Sequence, residues 1–138
     1  MREVKFRAWL KRRRTKIMCK VTMINFDLKS VYLLDHERGV ELGWYDFNEI
    51  ELLEYTNLKD KNGVEIYEGD VVESQLGIKY EVCFFEPSGA FGAITNYPYY
   101  DHKWFDDFSN MCVINNQETY KSLEVIGNIY ENKELLNE

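Results

Sequence analysis

Hydrophobic and polar residues alternate strictly over Val4-Lys5-Phe6-Arg7-Ala8-Trp9, with Val4, Phe6 and Ala8 on one side and Lys5, Arg7 and Trp9 on the other. A period of two is the mark of a half-buried strand. The basic run from Leu10 to Lys16 interrupts it, and Ile17 to Phe26 reads as a second strand with Ile17, Cys19, Val21 and Met23 sharing a face. Together they predict a hairpin tipped by Lys11-Arg12-Arg13-Arg14-Thr15-Lys16. Shorter strands follow at Val31–Leu34 and Val40–Tyr45, parted by the turn Asp35-His36-Glu37-Arg38-Gly39. Ile50 to Tyr55 fits a strand or a short helix capped by Asp46 or Asn48, and strand is the preferred reading.

After Leu58-Lys59-Asp60-Lys61-Asn62-Gly63, which ends in the turn-forming Asn-Gly pair, the pattern is all β. Five strands are expected at Asp70–Gln75, Lys79–Phe85, Ala90–Thr95, Cys112–Asn115 and Leu123–Tyr130, punctuated by Gly69, Gly77, Gly89, Gly92 and Gly127. Five short strands in so little chain suit a small closed barrel, which removes exposed sheet edges. Residues 131–138 predict a short terminal helix, with Asn132 as its cap. The fold class is therefore mainly β, with an N-terminal hairpin-rich lobe over residues 1–57 and a C-terminal five-stranded barrel over 58–138.

Composition agrees. The 138 residues suffice for one domain or two small lobes, and 45% hydrophobic with 30% charged residues describes a folded globule. Ten Tyr and eight Phe beside two Pro favour sheet. A collagen-like chain, a membrane-spanning protein and a disulfide scaffold are excluded. The net charge of −7 conceals an asymmetry: residues 1–20 hold nine Lys or Arg against the single acid Glu3, and the remainder holds eight against 23 acids. A basic head on an acidic body suits phosphates or the acidic face of another protein. Cys19, Cys83 and Cys112 are odd in number, lack C-x-x-C spacing and have apolar neighbours, so buried reduced thiols and a cytosolic location are expected. The basic start leads into no apolar signal segment, and no run approaches the ~20 apolar residues of a membrane helix.

The candidate chemistry is sparse. Asp60, Glu65, Glu68 and Asp70 offer carboxylates to a divalent cation, but their spacing is not that of a calcium loop, and turn-capping acids are the alternative. His36 and His102 lie in charged, loop-like contexts with no nucleophile nearby; His102 has Asp101, Asp106 and Asp107 as neighbours. Phosphate-loop, zinc-protease and dinucleotide fingerprints are absent, so no catalytic residue, metal or cofactor is assigned.

Three segments carry a family resemblance: Arg2-Glu3-Val4-Lys5-Phe6-Arg7-Ala8-Trp9, the stretch YTNLKDKNGVEIYEGDVV from Tyr55 to Val72, and LEVIGNIYENKELL from Leu123 to Leu136. Together they resemble the YopX-like family of bacteriophage and prophage proteins, over essentially the whole chain. The resemblance implies a mostly β protein whose C-terminal barrel is of the Src-homology kind, a phage or prophage origin, and no particular reaction. The chain departs from the family pattern at Leu10, where an acid is usual, at Asn57, where Gly is usual, and at Lys133, where Pro is usual. Asn57 tolerates the left-handed backbone a Gly would supply. Gly63 and Gly69 would serve turns of positive φ, Ile66, Tyr67, Val71 and Val72 the barrel core, and Val125, Ile126, Ile129 and Tyr130 the closing strand. Phe6 and Trp9 would anchor the first hairpin.

Two surfaces compete for function. Lys11, Arg12, Arg13, Arg14 and Lys16 would engage phosphates, releasing counterions, with Lys5, Arg7 and Lys20 extending the patch. Between two barrel strands, Tyr97 to Phe108 is half aromatic; Tyr99, Tyr100, Trp104 and Phe105 would be hot spots for a protein partner, or a lid on the barrel. The leading expectation is a non-catalytic module that binds a host or phage protein or another copy of itself. Nucleic-acid binding through the hairpin tip is the alternative, and no membrane association is expected.

Overall fold

The computed structural model describes residues 2–11, 16–85, 89–94, 111–113 and 121–136, with 85, 111–113 and 136 described in backbone only. Among these residues the chain forms strands β1 (Phe6–Lys11), β2 (Lys16–Asn25), β3 (Ser30–Asp35), β4 (Val40–Asp46), β5 (Ile50–Lys59), β6 (Glu65–Tyr67), β7 (Asp70–Glu73), β8 (Lys79–Phe85), β9 (Ala90–Ile94), β10 (Met111–Val113) and β11 (Glu124–Asn128). They make two antiparallel sheets, and the fold is mainly β. No helix among the described residues is long and apolar enough to cross a membrane. The chain divides into two units, Met1–Tyr55 and Thr56–Glu138.

In the first unit the strand order is β4-β3-β2-β1-β5. The alternating segment at the start becomes β1 only from Phe6, with Val4 outside the strand and exposed, and it runs on through Leu10 and Lys11, where the basic run was expected to break it. Strand β1 pairs with β2 from Arg7↔Lys20 to Lys11↔Lys16 and with β5 from Phe6↔Glu54 to Leu10↔Ile50. Ala8, Leu10, Cys19, Val31, Leu33 and Ile50 form the core on one face, and Ile17, Val21, Ile24, Leu42, Tyr45, Phe47 and Leu52 pack on it. Met23 is a correction. It was expected on one face with Ile17, Cys19 and Val21, yet those three turn to the core while Met23 is 49% exposed and Ile24 packs on the core instead. The cause is a bulge: Val21 opposes Leu33 while Met23 opposes Tyr32, so Thr22 is an extra residue that shifts the alternation by one.

Ile50 to Tyr55 is strand, extending to Lys59. A single 3-10 turn at Phe47–Glu49 precedes it, closed by the Asp46 N–H donating to the Glu49 carboxylate at 3.1 Å. The free edge of β1 then captures the chain as a ladder strand. Past Tyr55, Asn57 takes φ +68, and the Thr56 hydroxyl donates to the Ile66 carbonyl at 2.7 Å, tying the end of β5 to β6.

The second unit contains the five-stranded sheet β10-β9-β8-β7-β11. Strands β7 to β10 meander, and β11 returns beside β7, with Val125 opposite Val72 and Asn128 opposite Asp70. Its core is Ile66, Val72, Val82, Phe91, Ala93 and Leu123, with Leu58, Tyr80 and Val125 against it. Gly63 (φ +80) and Gly69 (φ +89) occupy turns that a side chain would strain. The expected C-terminal helix is instead one 3-10 turn, Lys133–Leu136. Asn132 does not cap it as expected: its side chain accepts the Asn128 N–H at 3.3 Å, and its carbonyl closes the turn from Leu135 N–H at 3.1 Å. So few residues cannot sustain an α-helix.

Candidate interaction surface

Residues directly opposed in an antiparallel ladder project to the same face. In the first unit, Ala8, Leu10, Cys19 and Ile17 point to the core, so Arg7, Trp9 and Lys11 of β1 share the other face with Lys20, Met18 and Lys16 of β2. The hairpin expected from the sequence is present. Its Arg12, Arg13 and Arg14 lie outside the described residues, but Lys11 and Lys16 stand opposite each other where the ladder ends. Four residues away, about 13 Å along the strands, Arg7 stands opposite Lys20. Each is a like-charge cross-strand pair, unfavourable by about 0.2–1 kcal/mol. The Lys11 ammonium is partly neutralised by the Glu51 carboxylate of β5 at 3.2 Å, while Lys16 and Lys20 are exposed. Lys5 lies 3.2 Å from Glu3 and over the Tyr55 ring.

Further across the same face, Lys20 opposes Leu34 and, beyond the bulge, Met23 opposes Tyr32, which opposes Trp44. The Tyr32 and Trp44 rings meet edge to face, centroids 5.4 Å apart. The Tyr32 hydroxyl donates to the Glu41 carboxylate at 3.1 Å, a bond that raises the phenol's pKa. Trp44 is 51% exposed, and Phe26 and Leu28, in the turn that follows β2, are 71% and 73% exposed. Sequence reasoning missed this apolar row because two bulges, at Thr22 in β2 and at Leu42 in β4, shift the period that would have aligned its members. The available signal was the aromatic content of two strands predicted to pair.

The other expected sites resolve as follows. Tyr99, Tyr100, Trp104 and Phe105 lie outside the described residues, as does His102. Asp60 is buried, and both its carboxylate oxygens are taken by backbone donors: Oδ1 accepts from Asn62 at 2.8 Å and Val64 at 2.9 Å, and Oδ2 accepts from Val125 at 2.9 Å. Asp70, also buried, accepts the Tyr67 N–H at 2.8 Å. These carboxylates act as turn and strand ties, and among the described residues no three His, Cys, Asp or Glu side chains converge on a metal position. His36 is exposed in the β3–β4 turn. That turn is closed by Asp35, whose carboxylate accepts the Arg38 N–H at 3.3 Å. Burial, followed by the charge of Asp35, pushes the Cys19 thiol to about 11. Burial, followed by Glu81 and Glu68, does the same for Cys83. At neutral pH both are protonated and weakly nucleophilic.

The model of a protein family described as YopX protein matches residues 5–137, nearly the whole chain. Among solved structures, the chain is similar to protein EF1440 from Enterococcus faecalis, with a TM-score of 0.63 and 24% identity over 97% of this chain and 98% of that one. At that identity the likeness speaks for the fold. No curated protein sequence matches.

Proposed function

We propose that this chain, which belongs to the YopX family, works as a non-catalytic protein-interaction module. The observation that carries the reading is the apolar row on the outer face of β2, β3 and β4: Met23 and Trp44 each present about half their surface, with Tyr32 between them in the ladder. Met and aromatic residues are the side chains that dominate protein interfaces, and a cluster of them left to solvent is costly unless something covers it. The absence of catalysis is inferred from the same side chains that chemistry would need. The Cys19 and Cys83 thiols are held protonated, and the Asp60 and Asp70 carboxylates are occupied by backbone donors. The finer fold reading is a C-terminal barrel of the Src-homology kind, supported by a four-strand meander whose last partner, β11, returns beside β7. A bacterial cytoplasm, reached through phage or prophage expression, suits the reduced thiols.

The test is quantitative affinity capture from bacterial lysate with wild type, Trp44→Ala and Trp104→Ala. A stoichiometric protein partner that is lost with either variant, both variants remaining folded by circular dichroism, supports the module. Identical captures by all three proteins overturn it.

A further inference from the structure

On the outer face of the first sheet Trp9 and Leu53 of β1 and β5 are buried, but β2 is exposed there and joins two chemistries along its length. At the start of β2, Lys16 and Lys20 are exposed, and their ladder partners are Lys11, which is ion-paired with Glu51, Arg7 and Leu34, so two further cations stand directly opposite them. At its end, seven residues and about 23 Å further on, Met23 stands beside Tyr32 and Trp44. A surface that is cationic at one end and apolar at the other fits a ligand with the complementary polarity.

We infer that this face receives an extended segment of a partner protein, about seven residues long, with acidic side chains over Lys16 and Lys20 and apolar ones against Met23 and Trp44. The inference rests on the interaction-module reading and names the partner's chemistry. Charge at the apolar end selects a peptide over a nucleic acid. Trp44 is flanked on its own strand by Glu41 and Asp46, both exposed, and Asp27 is exposed in the turn after β2. A polynucleotide stacking on Trp44 would bring phosphates against those carboxylates, whereas a peptide whose acids are confined to the other end meets no repulsion there. Aliphatic anchors also fit Met23 better than flat bases do.

Fluorescence anisotropy tests this with labelled ten-residue peptides bearing three glutamates at one end and Leu-Trp-Leu at the other, in both chain directions, beside the same residues interleaved and a single-stranded oligonucleotide. The segregated peptide should bind in one direction. Lys16→Glu with Lys20→Glu should weaken it about tenfold or more and remove its salt dependence. Trp44→Ala should weaken it comparably while leaving the salt dependence in place. A peptide with lysines in place of glutamates should recover binding to the charge-reversed protein. Both variants are on the surface, and their thermal melts check folding. No binding in either direction, equal binding of the interleaved peptide, or binding indifferent to the variants overturns the inference. So does tighter binding of the oligonucleotide, or concentration-dependent self-association that the same variants abolish, which would make the occupant a nucleic acid or a second copy. The two readings fail separately. If a captured protein is lost with Trp44→Ala but kept by the charge reversal, the acidic segment is refuted and the module stands; if capture depends on neither Trp44 nor Trp104, the module itself falls.

Discussion

Asp60 provides the sharpest test of how the second unit is held together. Its carboxylate gathers three backbone donors, two from the turn that follows it and one from Val125 in β11, 65 residues away. Asp60→Asn is nearly isosteric, and the amide oxygen can keep the bonds from Asn62 and Val64. The amide nitrogen then faces the Val125 N–H, donor against donor. Losing a bond to a charged acceptor costs about 1.5–3 kcal/mol, and the stranded donor adds about 1–3 kcal/mol. Relief from burying a carboxylate offsets part of this, leaving an expected loss of about 2–4 kcal/mol. At a urea slope of about 1–2 kcal/mol per molar, the midpoint should fall by roughly 1–4 M with no change in slope. In hydrogen exchange the Val125 amide should lose more protection than its neighbours in β7. If instead these acids served a divalent cation, Ca²⁺ or Mg²⁺ would raise the wild-type melting temperature and Asp60→Asn would abolish that rise. A midpoint within about 0.3 M of wild type, with Val125 equally protected, would refute the tie.

Other substitutions probe single features. Gly127→Ala should destabilise by about 1–3 kcal/mol, measured by urea melts, because a Cβ there would lie 2.5 Å from the Asn132 Oδ1 that holds the Asn128 N–H and 2.8 Å from a Leu135 methyl. Asn57→Ala should cost about 1–2 kcal/mol while Asn57→Gly stays near neutral, since the backbone there is left-handed. Burial raises the Glu81 carboxyl above its ordinary range. Its protonation-linked stability is therefore fully present below the unfolded value and lost as pH rises through the folded one. Glu81→Gln should raise the melting temperature at pH 7, and that gain should fade towards pH 4; a gain independent of pH would contradict the burial account.

The strands were legible wherever alternation ran undisturbed. Phe6 to Trp9, Val31 to Leu34 and Lys79 to Phe85 each satisfy a ladder on both sides or face one core, and periodicity reads such segments directly. Other features were not legible, because tertiary partners decide them. Whether Ile50 begins a helix or a strand depends on the open edge of β1, and the terminal segment was too short for its helical pattern to prevail. The charged hairpin was readable from composition, and the ladder supplies what composition could not: which cations stand opposite one another. The row at Met23, Tyr32 and Trp44 was hidden because a bulge has no clear sequence signature, and one unrecognised extra residue reverses every later assignment of face.

That extra residue, Thr22, works as a phase shifter inside β2. Upstream of it the odd-numbered positions belong to the interior; downstream, Ile24 takes that role and the odd-numbered Met23 is released to water. A strand without such a step is a single commitment, its inner and outer residues locked in one alternation from end to end. With it, the two ends of β2 are set independently, the lysine end by one parity and the methionine end by the other. Flattening the bulge with Thr22 kept in the ladder would exchange Met23 and Ile24 between solvent and core, rewriting the outward text of the sheet with no change in composition. Deleting Thr22 would instead leave both where they are, because Val21 and Met23 would then be consecutive in a regular strand.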